Sequence, residues 1–368
     1  MVSKPAKIQG LTEQNTGMYD VTEQFTERNM MPKGTFLRMD RRTVLKSLSC
    51  AAMATALPAT LRAAVAAGAS AKPLNGLFPI GQTPFTQDDK LDLDALTSQV
   101  RFCNRGRVPG FIWPQIASGW STLSTEERLS GAEAILADGK HGRTALVIGV
   151  QTKGNDLSGA IAFAKHAAKN GADAICSLPP DGSDADIFAY YKAIGAATDL
   201  PLFVQTIGNM SVDLVVQMFQ SIPTMRVVKD EAGDPLQRVT ELREKTSGKL
   251  AVFAGKGVRL MVDEMQLGFT GFCPVVALAD VYQEAWELYQ QGRKREAFDM
   301  FGRILAFDSI TNADQYLTVA RGIFKEDVKF RPTPGMGEGR AKQPPLTEAE
   351  KQAIRDDLNT YLKPYLLG

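Results

Sequence analysis

The chain predicts an α/β fold, a (β/α)₈ TIM barrel with a C-terminal helical appendage. Three observations carry this expectation. Short apolar runs recur eight times between residues 76 and 275. Segments with apolar residues at i, i+3 and i+4 separate them, as from Leu157 to Ala168 and from Leu214 to Phe219. The runs are apolar at successive positions, as strands buried on both faces of a helix-covered parallel sheet must be. A doubly wound open sheet is the alternative, but no Gly-x-Gly-x-x-Gly follows the first run to hold a nucleotide.

The first run is Gly76-Leu77-Phe78-Pro79-Ile80 and the second is Gly110-Phe111-Ile112-Trp113. The third spans Ala145 to Val150, the fourth Ala172 to Cys176 and the fifth Leu202 to Gln205. The sixth is Arg226-Val227-Val228-Lys229, the seventh Leu250 to Ala254 and the eighth Gly271 to Val275. The barrel is therefore expected over residues 74–280 and a helical region over 281–368. In that region helical patterns run from Val281 to Gln291, Lys294 to Asp308 and around Gln315 to Phe324. A Pro- and Gly-rich stretch, 331–339, then precedes a last helix capped by Thr347, with Glu350 three residues on.

Upstream of the barrel, Asp40-Arg41-Arg42-Thr43-Val44-Leu45-Lys46 has the pattern of a twin-arginine export signal. An Ala/Leu stretch follows and ends in the small-x-small sequence Ala69-Ser70-Ala71, a cleavage site. Residues 39–71 are thus expected to be a removable signal, with an alanine-rich surface helix as the alternative. Pro58 and Arg62 make the stretch a poor membrane span. Residues 1–38 are polar and irregular, and Met39 is the expected start. The mature protein is expected in the periplasm or otherwise outside the cytoplasm.

A formal net charge of +1 over 368 residues argues against a nucleic-acid partner. The two histidines, His141 and His166, have no Cys, His or carboxylate at ligand spacing, so no metal site is expected. Cys103, Cys176 and Cys273 remain after the signal, and they show no disulfide framework.

Lys229 closes the sixth run and precedes Asp230-Glu231-Ala232-Gly233-Asp234. A lysine at the carboxyl end of a barrel strand faces the mouth where active sites of this architecture lie. Burial there lowers an amine's pKa and leaves free amine to attack a ketone. The alternative is a solvated lysine at a strand end.

This order of elements resembles the dihydrodipicolinate synthase / N-acetylneuraminate lyase family over about residues 74–310. The matching segments include Gln82-Thr83-Pro84-Phe85, Thr122-Leu123-Ser124-Thr125-Glu126-Glu127-Arg128, Leu178-Pro179-Pro180 and Val228-Lys229-Asp230 with Gly233-Asp234. The resemblance implies a class I mechanism in which the lysine amine condenses with a 2-keto acid, with no metal or organic cofactor. It also implies a homo-oligomer, a dimer or tetramer.

Several positions depart from the family's pattern. Its Gly-Thr-Thr-Gly-Glu loop, which holds the keto-acid carboxylate, falls on Gln115-Ile116-Ala117-Ser118-Gly119. Its catalytic tyrosine falls on Gln205, its carboxylate-binding arginine on Met210 and its paired tyrosines on Asp181-Gly182. The expected substrate-binding residues are therefore Trp113, Gln115, Ile116, Ala117, Ser118, Gln205 and Lys256, with Trp120 and Thr206 also near the mouth. Trp113 and Trp120 are placed to stack on a substrate ring or, alternatively, to pack under helices. Lys256, between Gly255 and Gly257, is expected to bind an anion or to lower the pKa of Lys229, with an exposed loop lysine as the alternative. Of Asp230 and Glu231, one is expected in solvent and the other at the cap of the next helix, with an acid/base role as the alternative.

These readings describe an exported Schiff-base lyase or aldolase acting through Lys229 on a 2-keto acid, an aldehyde or their adduct. The alternatives are a non-catalytic periplasmic binding protein on the same barrel and a 4-hydroxy-tetrahydrodipicolinate synthase. No membrane contact is expected after signal removal. Replacing Arg41 and Arg42 by Lys should leave uncleaved precursor in the cytoplasm. Sequencing of wild-type mature protein should find its first residue near Ser70–Lys72.

Overall fold

The computed structural model describes residues 72–311, 315–332 and 346–366. The expected extension (1–38), the export signal (39–71) and the Pro/Gly-rich residues from 333 onward lie outside the described residues. Eight parallel strands form one sheet in the order β1-β8-β7-β6-β5-β4-β3-β2. They are β1 (Gly76–Leu77), β2 (Gly110–Trp113), β3 (Ala145–Gly149), β4 (Ala174–Ser177), β5 (Leu202–Gln205), β6 (Met225–Asp230), β7 (Ala251–Ala254) and β8 (Gly271–Phe272). Ile80 closes the ring, bridging Ile112 on one side and Val275 on the other. The expected (β/α)₈ barrel is the fold. The first and eighth strands are shorter than the runs that announced them, each run carrying a proline, Pro79 or Pro274, that has no N–H for the ladder.

Helices alternate with the strands: α1 (Leu93–Arg105), α2 (Thr125–Gly139), α3 (Leu157–Lys169), α4 (Asp184–Ala197), α5 (Val212–Ser221), α6 (Pro235–Lys245) and α7 (Met261–Leu267). Local chemistry sets where they begin. Ser124 and Ser183 form capping boxes with Glu127 and Asp186, and Asp234 caps α6 with Pro235 in its first turn. α8 (Ala279–Gln290) packs against β1 and so completes the eighth β/α unit. The sequence boundary at 281 had assigned this helix to the appendage, since periodicity alone does not show which neighbour a helix covers. The appendage proper is α9 (Lys294–Ile310), α10 (Tyr316–Ala320) and α11 (Glu348–Tyr361). Its connecting segment returns to the barrel, where the Lys329 backbone pairs with Phe85 and Arg331 bridges Asp89 and Glu127, each at 2.8 Å.

The core has two layers, as strand alternation requires. Inside the barrel lie Phe78, Ile80, Ile112, Val147, Cys176, Phe203, Val227, Phe253 and Cys273, while a larger cluster fills the space between strands and helices. Three rings make the floor: Phe78, Phe203 and Phe253 sit 5.2–5.7 Å apart between centroids. Gly110 leaves room for Phe78, since a Cβ there would fall 2.1 Å from the ring. Phe203→Ala should open a cavity beneath the mouth and cost ~3–5 kcal/mol. Urea unfolding of the variant should show this as a lower midpoint.

Candidate active site

β6 carries two interior positions near its end. Val227 faces the aromatic floor, and Lys229, two residues on, faces the same way one layer higher. Lys229 is 4% exposed and pairs in register with Gln205 on β5 and Phe253 on β7. Its Nζ lies 3.0 Å from Oε1 of Glu231, the next residue of the same parity. Gln205 Nε2 donates to the other carboxylate oxygen at 2.5 Å, and the Lys256 backbone N–H donates to Oε1 at 3.2 Å. Gly255 makes this possible, because a Cβ there would fall 1.7 Å from Glu231 Oε1.

The charges follow from this geometry. Burial is the largest single influence and depresses the Lys229 pKa, but the charge and hydrogen bond of the Glu231 carboxylate lead the opposing contributions, and the net shift is upward. For Glu231, burial raises the pKa, while Lys229 and the donors from Lys256 and Gln205 bring it below the usual carboxylate value. The resting pair is ammonium and carboxylate. The expected lowering of the Lys229 pKa is thus corrected, since it counted burial without the partner.

A second network flanks the first with the opposite parity. Thr206 Oγ1 donates to Asp230 Oδ1 at 2.6 Å and accepts the N–H groups of Glu231 and Ala232 at 2.9 and 3.1 Å. Arg238 on α6 binds both oxygens of Asp230 at 2.9 Å and donates to the Met210 carbonyl at 2.8 Å. Neither acidic residue after Lys229 is left to solvent, and the cap of α6 is Asp234, which corrects the expectation for this pair. Thr206 is fully buried and serves the loop.

The loop after β2 forms a separate cluster, with no hydrogen bond to Lys229 among the described residues. Gln115 Nε2 donates to Gln151 Oε1 at 3.2 Å, and Gln151 in turn donates to the Pro114 carbonyl at 2.9 Å. Arg128 holds the far side through the carbonyls of Gly149 and Gln151; burial lowers its pKa to about 10. Ser118 Oγ accepts the Gln115 N–H at 3.0 Å. The N–H groups of Ile116 and Ala117, in the first turn of a short 3₁₀ segment, have no acceptor among the described residues.

Two expected site residues lie elsewhere. Trp113 has the outward parity of β2, is fully buried against Gly131 of α2, and its Nε1 donates to Thr83 at 3.0 Å. It braces the β2 loop from behind, as Thr83 donates to the Ser118 carbonyl at 2.6 Å. Lys256 is exposed and its ammonium donates to the Gly233 carbonyl at 2.9 Å, so only its backbone serves the site. Trp120 lies half-buried beside Arg128, on the α2–α3 side.

A model of the dihydrodipicolinate synthetase family matches residues 73–359. The 4-hydroxy-tetrahydrodipicolinate synthase of Chloroherpeton thalassium is 29% identical over 203 residues, 53% of this chain and 66% of that protein. The chain therefore spans just under two thirds of that relative's length. The enzyme of the same name from Methanosarcina barkeri is 24% identical over 301 residues, 77% of this chain and 97% of its own. Among solved structures, a prophage protein of E. coli K12 from the dihydrodipicolinic acid synthase family, in complex with pyruvate, superposes with TM-score 0.65. It is 19% identical and covers 78% of this chain and 98% of its own, a likeness of fold.

Thr206→Val removes one donor and one acceptor from three buried hydrogen bonds and should cost about 1–3 kcal/mol. Lys256→Met keeps the backbone donor, so its unfolding free energy should stay within about 0.5 kcal/mol of wild type. Chemical denaturation of both variants checks the contrast.

Proposed function

The chain belongs to the dihydrodipicolinate synthetase family, and from that premise we propose a lyase of the class I aldolase type. Lys229 forms a Schiff base with a 2-keto acid, and the iminium then accepts electrons during C–C or C–O bond cleavage or formation. The single observation that carries this reading is Lys229 itself, an amine buried at the carboxyl end of β6 with a carboxylate 3.0 Å from its nitrogen. The free N–H groups of Ile116 and Ala117 support it, because they stand where the resembled loop would hold the keto-acid carboxylate.

Synthesis of 4-hydroxy-tetrahydrodipicolinate is less well supported. A second substrate carboxylate needs a cation, and Met210 stands at the position of the arginine. Its neighbour Arg238 is already bound by Asp230. We further propose that the enzyme works outside the cytoplasm after twin-arginine export, as a homo-oligomer.

Sodium borohydride added with pyruvate should leave one reduced pyruvyl group on Lys229, read by intact mass and peptide mapping. Lys229→Ala should abolish the adduct. If neither pyruvate nor any other 2-keto acid in a broad panel labels the wild type, the Schiff-base reading fails, and a ligand-binding role on the same barrel takes its place.

A further inference from the structure

The geometry points to Glu231 as the proton carrier of the reaction, in place of the hydroxyl relay whose residues this chain lacks; this rests on Lys229 forming the iminium. Glu231 touches the reacting nitrogen directly, 3.0 Å from Nζ. Both its oxygens are oriented, one by Gln205 at 2.5 Å and the other by the Lys256 N–H at 3.2 Å. The nearby hydroxyls are committed elsewhere. Thr206 gives its proton to Asp230, and Tyr191 gives its proton to the carbonyls of Ser177 and Gln205. Among the described residues Glu231 is the one acid/base group hydrogen-bonded to Lys229.

The place for this carboxylate is built. Gly255, directly after β7, has no side chain where any Cβ would strike Oε1. The Glu231 N–H donates to Thr206 at 2.9 Å, which ties the backbone that carries the carboxylate to the loop after β5.

The proton steps balance without any other group. The Lys229 ammonium gives a proton to the Glu231 carboxylate, and the free amine adds to the ketone carbon. Nitrogen then loses a proton to the carbinolamine oxygen. The Glu231 carboxylic acid protonates the hydroxyl, water leaves, and the iminium stands beside a restored carboxylate. That carboxylate can next take a proton from the substrate's C3. The C3–H electron pair becomes a C2=C3 bond and the iminium π pair moves to nitrogen, giving the enamine.

Exchange of the pyruvate methyl protons in D₂O reads this last step without knowledge of the natural substrate. Wild type should exchange them, and Glu231→Gln should do so ~10²–10⁴-fold more slowly while still being trapped by borohydride. The groups facing Lys229 are Glu231 and the thiols of Cys176 and Cys273. With the carboxylate gone, burial dominates and the amine's pKa falls. Trapping by the variant should therefore extend to lower pH than in wild type. Gly255→Ala should displace an intact Glu231 and give the same slow exchange. Circular dichroism confirms that each variant is folded.

Exchange by Glu231→Gln at the wild-type rate, or trapping by wild type without any exchange, overturns the assignment. A wild type that no 2-keto acid labels overturns the Schiff-base reading instead, and the assignment with it.

Discussion

Two opposite charges sit inside an apolar barrel, and much of the mouth is arranged around keeping them there. Moving each ion out of water costs several kcal/mol, which mutual attraction offsets only when the remaining donors and acceptors are also satisfied. Glu231 meets that condition through Lys229 and through donors that flank β6 on both sides: Gln205 on β5 and the N–H of Lys256 after β7. The ladder that sets Gln205 beside Lys229 and Lys229 beside Phe253 is therefore part of the chemistry. A slip of one residue in either pairing would turn the interior side chains outward and leave a charge unpaired. Below the pair, Phe78, Phe203 and Phe253 exclude water, which strengthens the coupling between the charges.

Alternation divides labour between neighbouring residues. Gln205 and Lys229 face inward with Glu231, while Thr206 and Asp230, one step along, bond each other, and Asp230 meets Arg238. The inner set presents reactive groups. The outer set ties the β5–α5 and β6–α6 loops together, since Arg238 holds both Asp230 and the Met210 carbonyl. The substituted positions read as a pattern in this light. Glutamine at the tyrosine position would be a poor general base, yet it is a good donor to a carboxylate. The tyrosine-to-glutamine and hydroxyl-relay losses make sense together once Glu231 is present.

The barrel was legible from the sequence because most strands are near-continuous apolar runs separated by amphipathic helical segments, as burial on both faces of a parallel sheet requires. Lys229 was legible for the same reason, as a charge closing one such run. Trp113 was misplaced because it was taken as a strand end near the mouth, although its parity relative to Ile112 already points it outward. Lys256 was misplaced because its backbone has φ +51°, a turn that sends the side chain to Gly233 and that neighbouring residues do not announce. Glu231 carried a readable signal. Two residues beyond Lys229 on extended chain, it had to share that side chain's face. The Arg238–Asp230 tie is nonlocal in consequence, reaching the Met210 carbonyl across two loops, and no short pattern marks it.

Placing a carboxylate beside the amine has a chemical consequence that a hydroxyl relay avoids. A hydroxyl leaves the amine's pKa to burial, which favours the free base, whereas Glu231 holds Lys229 as ammonium. In the proposed mechanism such a lysine attacks only after handing its proton to the same carboxylate, which would create nucleophile and acid in one transfer over 3.0 Å. The pair is neutral before and after that transfer, so an arriving keto acid meets no net charge from it. On the proposed reading its carboxylate is held by dipoles, and the N–H groups of Ile116 and Ala117, without an acceptor among the described residues, are dipoles of that kind. In the proposed reaction the iminium's positive charge would stand beside Glu231, so the group that offsets the charge is also the proposed base.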